Sequence, residues 1–348
     1  MKSRSATLPS RLRGLLTGRR ADLLGLAGVL VIAVLSWQMI SAVSAGLYRQ
    51  FEPLGDPPAV PVSVPGPGLD GRPARGPVSH LGHTGYFWSE RAFHYRTALM
   101  FAVDGFEDPA VLSRDTRQQH PDGVNAWREY TLLMEPVYGF LYRLVGDQSR
   151  PFVEFLLRLV PLVHVLGFLA LYGMVRGLGG RPLAAALAVF VAATCTLGFQ
   201  RLAGSLLLKE NFALLLLMVF LALHVAAWRS GSRVRLAVAA VLLVPLLASW
   251  HLASFLVLVV MTGAALGWAA AREEQVRPGL AMPAAYLVAA LVASLTPSLF
   301  ERAFWFSLPV AVLAAWTAGA WVAGRWTLPA RSRTARAGLI VLLAAVLG

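Results

Sequence analysis

The chain has 348 residues, 57% of them hydrophobic and only 14% charged, with a mean hydropathy of +0.62; a soluble domain carries about a quarter charged residues, so an ordinary soluble domain is excluded. The formal charge of +13 does not make a nucleic-acid binder, because the basic residues sit in short clusters between long apolar runs. The single cysteine, Cys195, lies in an apolar run and excludes an intrachain disulfide framework and a Cys-based zinc site.

Residues 1–20 read as a cytoplasmic basic tail, with Lys2, Arg4, Arg11, Arg13, Arg19 and Arg20 and no acid. The apolar run that follows, 21–46, is longer than a secretory core and suits a membrane span of about 20 residues. The chain should therefore emerge on the outer face near Leu47. Residues 47–150 form a large extracytoplasmic loop: the part from Arg49 to Arg150 holds 12 of the 18 acids, 10 arginines and four of the seven histidines. Within it, 53–78 is a Pro/Gly-rich linker. Beyond the linker, Trp127, Tyr130, Leu133, Met134, Val137, Leu141 and Leu144 recur at helical spacing, which predicts one amphipathic helix over 126–144 lying on the membrane or on other helices.

Residues 151–348 read as a multi-span domain, with apolar segments at 152–175, 182–200, 211–228, 236–249, 252–271, 280–299 and 303–324 and a further start at 337. The run 236–271 is too long for one span and should fold as a hairpin at Trp250-His251. The expected fold is all-α, a polytopic transmembrane bundle of about eight spans plus a truncated ninth. The last segment stops 12 residues after its start, so the chain is expected to be a fragment. Arg176 and Arg181, Arg229 to Arg235, Arg272 and Arg277, and Arg325 to Arg336 then all fall on the cytoplasmic side, as the positive-inside rule asks. Arg201, Lys209 and Arg302 fall on the outer side and break that rule. The predicted location is a plasma membrane, multi-pass.

Gly66 to Gly71 fits G-x-G-x-x-G, but no strand precedes it and no helix follows, so nucleotide binding is excluded there. His80 and His83 read as a solvated loop, since no third metal ligand has a diagnostic spacing. Glu90, His94 and Arg96 lie within two helical turns beside aromatics. They form either an acid, imidazole and guanidinium that act together on a substrate, or the water-facing side of an interfacial helix. Lys209, Glu210 and Asn211 open an apolar helix whose N-terminus, with Arg201 nearby, suits a phosphate; capping and snorkelling are the plainer reading. His251 and Arg302 complete the outer-face set. Glu154 and Arg158, four residues apart, should pair, and His164 and His224 should bond between helices.

The run Glu90-Arg91-Ala92-Phe93-His94-Tyr95-Arg96 resembles the acid, aromatic and His-Tyr-Arg run in the first outer loop of the oligosaccharyltransferase catalytic-subunit family, within the GT-C superfamily of membrane glycosyltransferases. His120-Pro121-Asp122-Gly123, Glu135-Pro136-Val137-Tyr138 and the later Arg201 and Gly204 are similar to further stretches of that family. Where the family has an Asp-x-Asp pair before the fourth span, this chain has Lys209-Glu210-Asn211. The resemblance implies transfer of a sugar or oligosaccharide from a polyprenyl-phosphate-linked donor to an acceptor protein, lipid or glycan. Glu90 would be the base and Glu210 the second choice; Arg96, Arg201 and Lys209 would face the leaving phosphate, with His94, His251 and Arg302 also binding substrate. A divalent cation, Mg or Mn, on Glu90 and Glu210 is compatible with the resemblance and not required by it. The competing class is a transporter or flippase of a lipid-linked or anionic solute, which would place its ionisable groups near mid-membrane. A third is a membrane-anchored sensor.

Overall fold

The computed structural model of the protein describes residues 18–51, 90–103, 125–195, 207–270 and 280–325, with a few residues of a further helix between 336 and 345. The tail to residue 17, the linker 53–78, His80, His83, His120, Arg201 and Gly204 lie outside the described residues. Every described element is helical, with no strand among the described residues. In chain order they are α1 (Gly18–Phe51), α2 (Glu90–Val103), α3 (Ala126–Glu129), α4 (Met134–Val145), α5 (Phe152–Gly177), α6 (Pro182–Thr194), α7 (Lys209–Ser230), α8 (Arg233–Ser249), α9 (His251–Ala270), α10 (Ala281–Ala293), α11 (Pro297–Glu301), a 3₁₀ turn (Phe304–Phe306) and α12 (Leu308–Arg325).

Four helices are long and apolar enough to cross a membrane: Ala21–Leu47, Phe152–Gly177, Lys209–Ser230 and His251–Ala270. The other segments expected to span are shorter. The run expected over 280–299 ends as α10 at Ala293, because Pro297 has no N–H to return to the Ala293 carbonyl. That carbonyl instead accepts the Thr296 N–H and hydroxyl at 3.0 and 2.8 Å. The hairpin at Trp250 is present as expected: Trp250 is extended between α8 and α9. The α7–α8 turn is equally local, with Gly231 in the left-handed region at φ 65° and Ser232 capping α8 by accepting the Arg235 N–H.

One end of the bundle is tied by arginines. Arg176, at the end of α5, pairs with Asp22 on α1 at 2.5 Å and donates to the Gly180 carbonyl before α6; Arg229 of α7 donates to the Gly177 carbonyl. At the opposite end α2, α4 and the first turns of α5 and α7 share a core of Tyr95, Ala98, Met134, Tyr138, Phe152, Leu156 and Phe212. A second core joins α7 to α10 and α12 around Phe220, Tyr286 and Trp316.

Two expectations are corrected here. The helix expected over 126–144 is two helices, α3 and α4, separated by Tyr130–Leu133. Pro136 explains the break, since its ring would collide with the Leu132 carbonyl of a continuous helix. The apolar stripe is divided: Met134 is buried, Leu133, Val137 and Leu141 are half-buried and Leu144 is exposed, while Glu135, Tyr138, Gly139 and Tyr142 are buried against neighbours. Where the surroundings are lipid, apolarity no longer marks the inner face, and polar atoms are safest between helices. Finally, Glu154 pairs with Arg150, one turn back, at 3.7 Å, and Arg158 offers its carbonyl to the Trp37 indole. Of the two deep histidines, His224 bonds across helices to the Tyr286 hydroxyl at 3.1 Å, as expected, and His164 meets Phe168 edge-on.

Candidate active site

α2 and α4 run side by side in the same direction. His94 lies beside Glu135, and one turn further Ala98 and Phe101 lie beside Gly139. The approach there is so close that a Cβ on Gly139 would stand 2.6 Å from Phe101 Cβ and 2.8 Å from the Ala102 nitrogen. This contact fixes the first turn of α2, which Glu90 opens; the Glu90 side chain is outside the described residues. His94 Nδ1 and Glu135 Oε1 are 2.6 Å apart, and both side chains are 0% exposed. A neutral or protonated imidazole donates Nδ1–H here, and the acceptor is a carboxylate, which makes this a short charge-assisted bond.

Phe93, the neighbour of His94, lies 4.3 Å from the Tyr130 ring, centroid to centroid. The ammonium of Lys209 stands over the other partner of that contact, 5.2 Å from the Tyr130 centroid, and donates to Thr131 Oγ1 at 3.4 Å. Thr131 in turn donates to the Ser249 carbonyl at the end of α8 at 3.2 Å. Lys209 is only 4% exposed. A buried ammonium needs such partners, and it sits on the first residue of α7, where the free N–H groups already favour an anion. Glu210 is half-buried in the same turn.

The second tie begins two residues past Ser249. His251 opens α9, and its Nδ1 accepts from Arg302 Nη1 at 3.2 Å. Because guanidinium has no acceptor, His251 must carry its proton on Nε2. Arg302 Nη2 also donates to the Glu129 carbonyl at 2.9 Å, and Arg128 pairs with Glu301 at 3.1 Å. Between these last two residues, Trp127, Leu295, Pro297 and Phe300 line an open groove of about 560 Å³.

The structure thus brings the start of α2, the start of α7, the α8–α9 turn and Arg302 to one end of the bundle. Arg96 is half-buried on α2. Tyr130, Thr131, Ser249 and Glu135 are members of the cluster that spacing alone did not single out. The signal for Glu135 was an acid opening an otherwise apolar helix beside Pro136. Among the described residues no group of three or more His, Cys, Asp or Glu could hold a metal ion.

The family model for Dpy19, described as Q-cell neuroblast polarisation, matches residues 87–321, more than half of the chain. The chain belongs to the Dpy19 family. No curated protein matches it. The Dpy19 match starts three residues before Glu90 and ends inside α12, so it takes in every residue of the cluster. Dpy19 is a membrane glycosyltransferase-like family, and the chain is a transferase of that general kind. The match agrees with the resemblance to membrane glycosyltransferases drawn from Glu90 to Arg96 and does not reach the GT-C or oligosaccharyltransferase assignment.

Proposed function

We propose that this Dpy19 protein transfers a glycosyl group from a polyprenyl-phosphate-linked donor to an acceptor at the end of the bundle that carries Glu90, Lys209 and Arg302. The arginine-tied end is then cytoplasmic by the positive-inside rule, and the reaction is extracytoplasmic. The family's members are GT-C-like C-mannosyltransferases, which makes mannose the sugar and a carbon atom the nucleophile of our reading. The observation that carries it is the Phe93, Tyr130, Lys209, Thr131, Ser249 chain of contacts, which sets the first turn of α2 beside a buried cation at a helix N-terminus.

In this reading the acceptor carbon attacks the anomeric carbon, and the bond to the phosphate oxygen breaks with its electron pair. Lys209 and the α7 N-terminus stabilise the charge gathering on the phosphate. Arg96 and Arg201 add to that stabilisation. Glu90 takes the proton that the acceptor loses, with Glu210 the second choice. His251 and Arg302, locked to each other and to the Glu129 carbonyl, hold the substrate side of the first loop in register. The described residues do not gather the oxygen set that a hard divalent cation takes, and no step here uses one.

The test is turnover by the protein in lipid nanodiscs, with mannosyl polyprenyl phosphate as donor and an aromatic-rich peptide as acceptor. Glu90→Gln should lower the rate by about 10³-fold with insertion unchanged, and EDTA should leave the wild-type rate intact. Full activity in Glu90→Gln overturns the assignment.

A further inference from the structure

Arg158 is a charge on a membrane span that no described residue neutralises. It lies on α5, one of the four helices long and apolar enough to cross a membrane, and it is exposed. Glu154, one turn back and well spaced to pair with it, turns to Arg150 instead. The Arg158 guanidinium has no hydrogen bond or ion pair among the described residues. The helix rise fixes its depth. About 27 Å of α5 separates Arg158 from Arg176, at about 1.5 Å per residue, and Arg176 belongs to the arginine-tied end. A hydrocarbon core is about 30 Å thick. With Arg176 at one boundary, Arg158 therefore stands at the other, level with lipid phosphates and above the acyl chains.

The Arg158 turn is also anchored to α1. The Trp37 indole donates to the Arg158 carbonyl at 3.4 Å, and Trp37 is itself 36% exposed; tryptophan is a side chain that favours this depth. Further into the span, Leu162 and Leu166 follow Arg158 at four-residue steps along α5, and Leu30 lies on the Trp37 side of α1; all three are exposed. Between the two helices Val29, Ala33, Val165 and Phe168 are buried, which closes the seam behind them. We propose that Arg158, flanked by Trp37, binds the phosphate of an anionic phospholipid whose acyl chains lie over Leu162 and Leu166. A guanidinium pairs two phosphate oxygens at once, and its single positive charge matches one phosphodiester. An uncompensated guanidinium at this depth is costly, and a bound phosphate removes that cost. A zwitterionic lipid fits less well, because its ammonium would need an acid and Glu154 is already shared with Arg150. The site lies on a different face of α5 from Phe152 and Leu156, which are buried in the core shared with α2 and α4, so it is separate from the proposed transfer reaction and does not rest on it.

Native mass spectrometry of the full chain in detergent reads the site, with dioleoyl phosphatidylglycerol, phosphatidylcholine or diacylglycerol titrated in. Wild type should take up one phosphatidylglycerol about tenfold more tightly than phosphatidylcholine, and its thermal unfolding midpoint should rise with phosphatidylglycerol as that lipid binds. Arg158→Gln should lower the phosphatidylglycerol affinity by about tenfold, the loss of a charge-assisted bidentate contact. Arg158→Lys keeps the charge without the fork and should fall between the two. Arg181→Gln removes an exposed arginine at the opposite end of the bundle and should leave the first phosphatidylglycerol in place. Equal uptake of phosphatidylglycerol and phosphatidylcholine by wild type, or an equal loss in Arg158→Gln and Arg181→Gln, overturns the proposal. If Arg158→Gln does not accumulate in the membrane, wild type and Arg158→Lys decide. A midpoint raised equally by all three lipids overturns the site, and a rise specific to phosphatidylglycerol that Arg158→Lys diminishes upholds it.

Discussion

Gly139→Ala tests whether the approach of α2 to α4 matters to the reaction. The new Cβ would stand 2.6 Å from Phe101 Cβ, 2.8 Å from the Ala102 nitrogen and 2.9 Å from the Ala98 oxygen. Two of those atoms are backbone and cannot turn away. Since carbon atoms settle near 3.5–4.0 Å, the helices must part by about 1 Å. Overpacking of this kind costs about 1–3 kcal/mol, and the helix gains back about 0.5–1 kcal/mol from replacing glycine. The larger effect should fall on turnover: the parting lengthens the His94 to Glu135 bond and moves the turn that carries Glu90, and a displacement of about 1 Å can cost about 10²-fold in rate. The assay compares kcat and the thermal unfolding midpoint of Gly139→Ala and wild type in one detergent. Gly28→Ala on α1 is the control, because nothing lies within 4 Å of its Cβ position. A Gly139→Ala protein with wild-type kcat would refute the claim that this contact positions the site.

Lys209→Ala should raise the apparent KM for the lipid donor by about tenfold or more, the loss of one charge-assisted contact, read from initial rates over a donor series; an effect confined to acceptor dependence would misplace the phosphate. Arg302→Ala removes the donors to both His251 and the Glu129 carbonyl. It should speed proteolytic nicking between α2 and α3, with the membrane bundle intact; an unchanged nicking rate would refute the docking role.

What the sequence made legible is mostly local. The break between the apolar runs 211–228 and 236–249 falls at the α7–α8 turn, Trp250-His251 marks a hairpin because the apolar run is too long for one crossing, and Lys209 stands out as a cation opening an apolar helix. The breaks at Pro136 and Pro297 were also readable, but continuous apolar periodicity outweighed them. Glu135 was not readable as an inner residue. An acid near the start of an amphipathic helix ordinarily faces water, and its partner His94 is 41 residues away. The membrane setting compounds this, since a leucine stripe can point to lipid as easily as to protein. The pairing of Arg128 with Glu301 and of Arg302 with Glu129 spans 173 residues, and no spacing rule reaches that far.

The Thr131 bond to the Ser249 carbonyl has a consequence for biosynthesis. That carbonyl is turned outward only because α8 stops there and the chain doubles back at Trp250. The segment that docks on it leaves the ribosome 118 residues earlier, and Lys209 and Arg302 also follow it. Residues 126–133 must therefore wait for later segments to be made before they find their seat. This end of the bundle is therefore completed late in translation, long after the residue proposed as its base has been made.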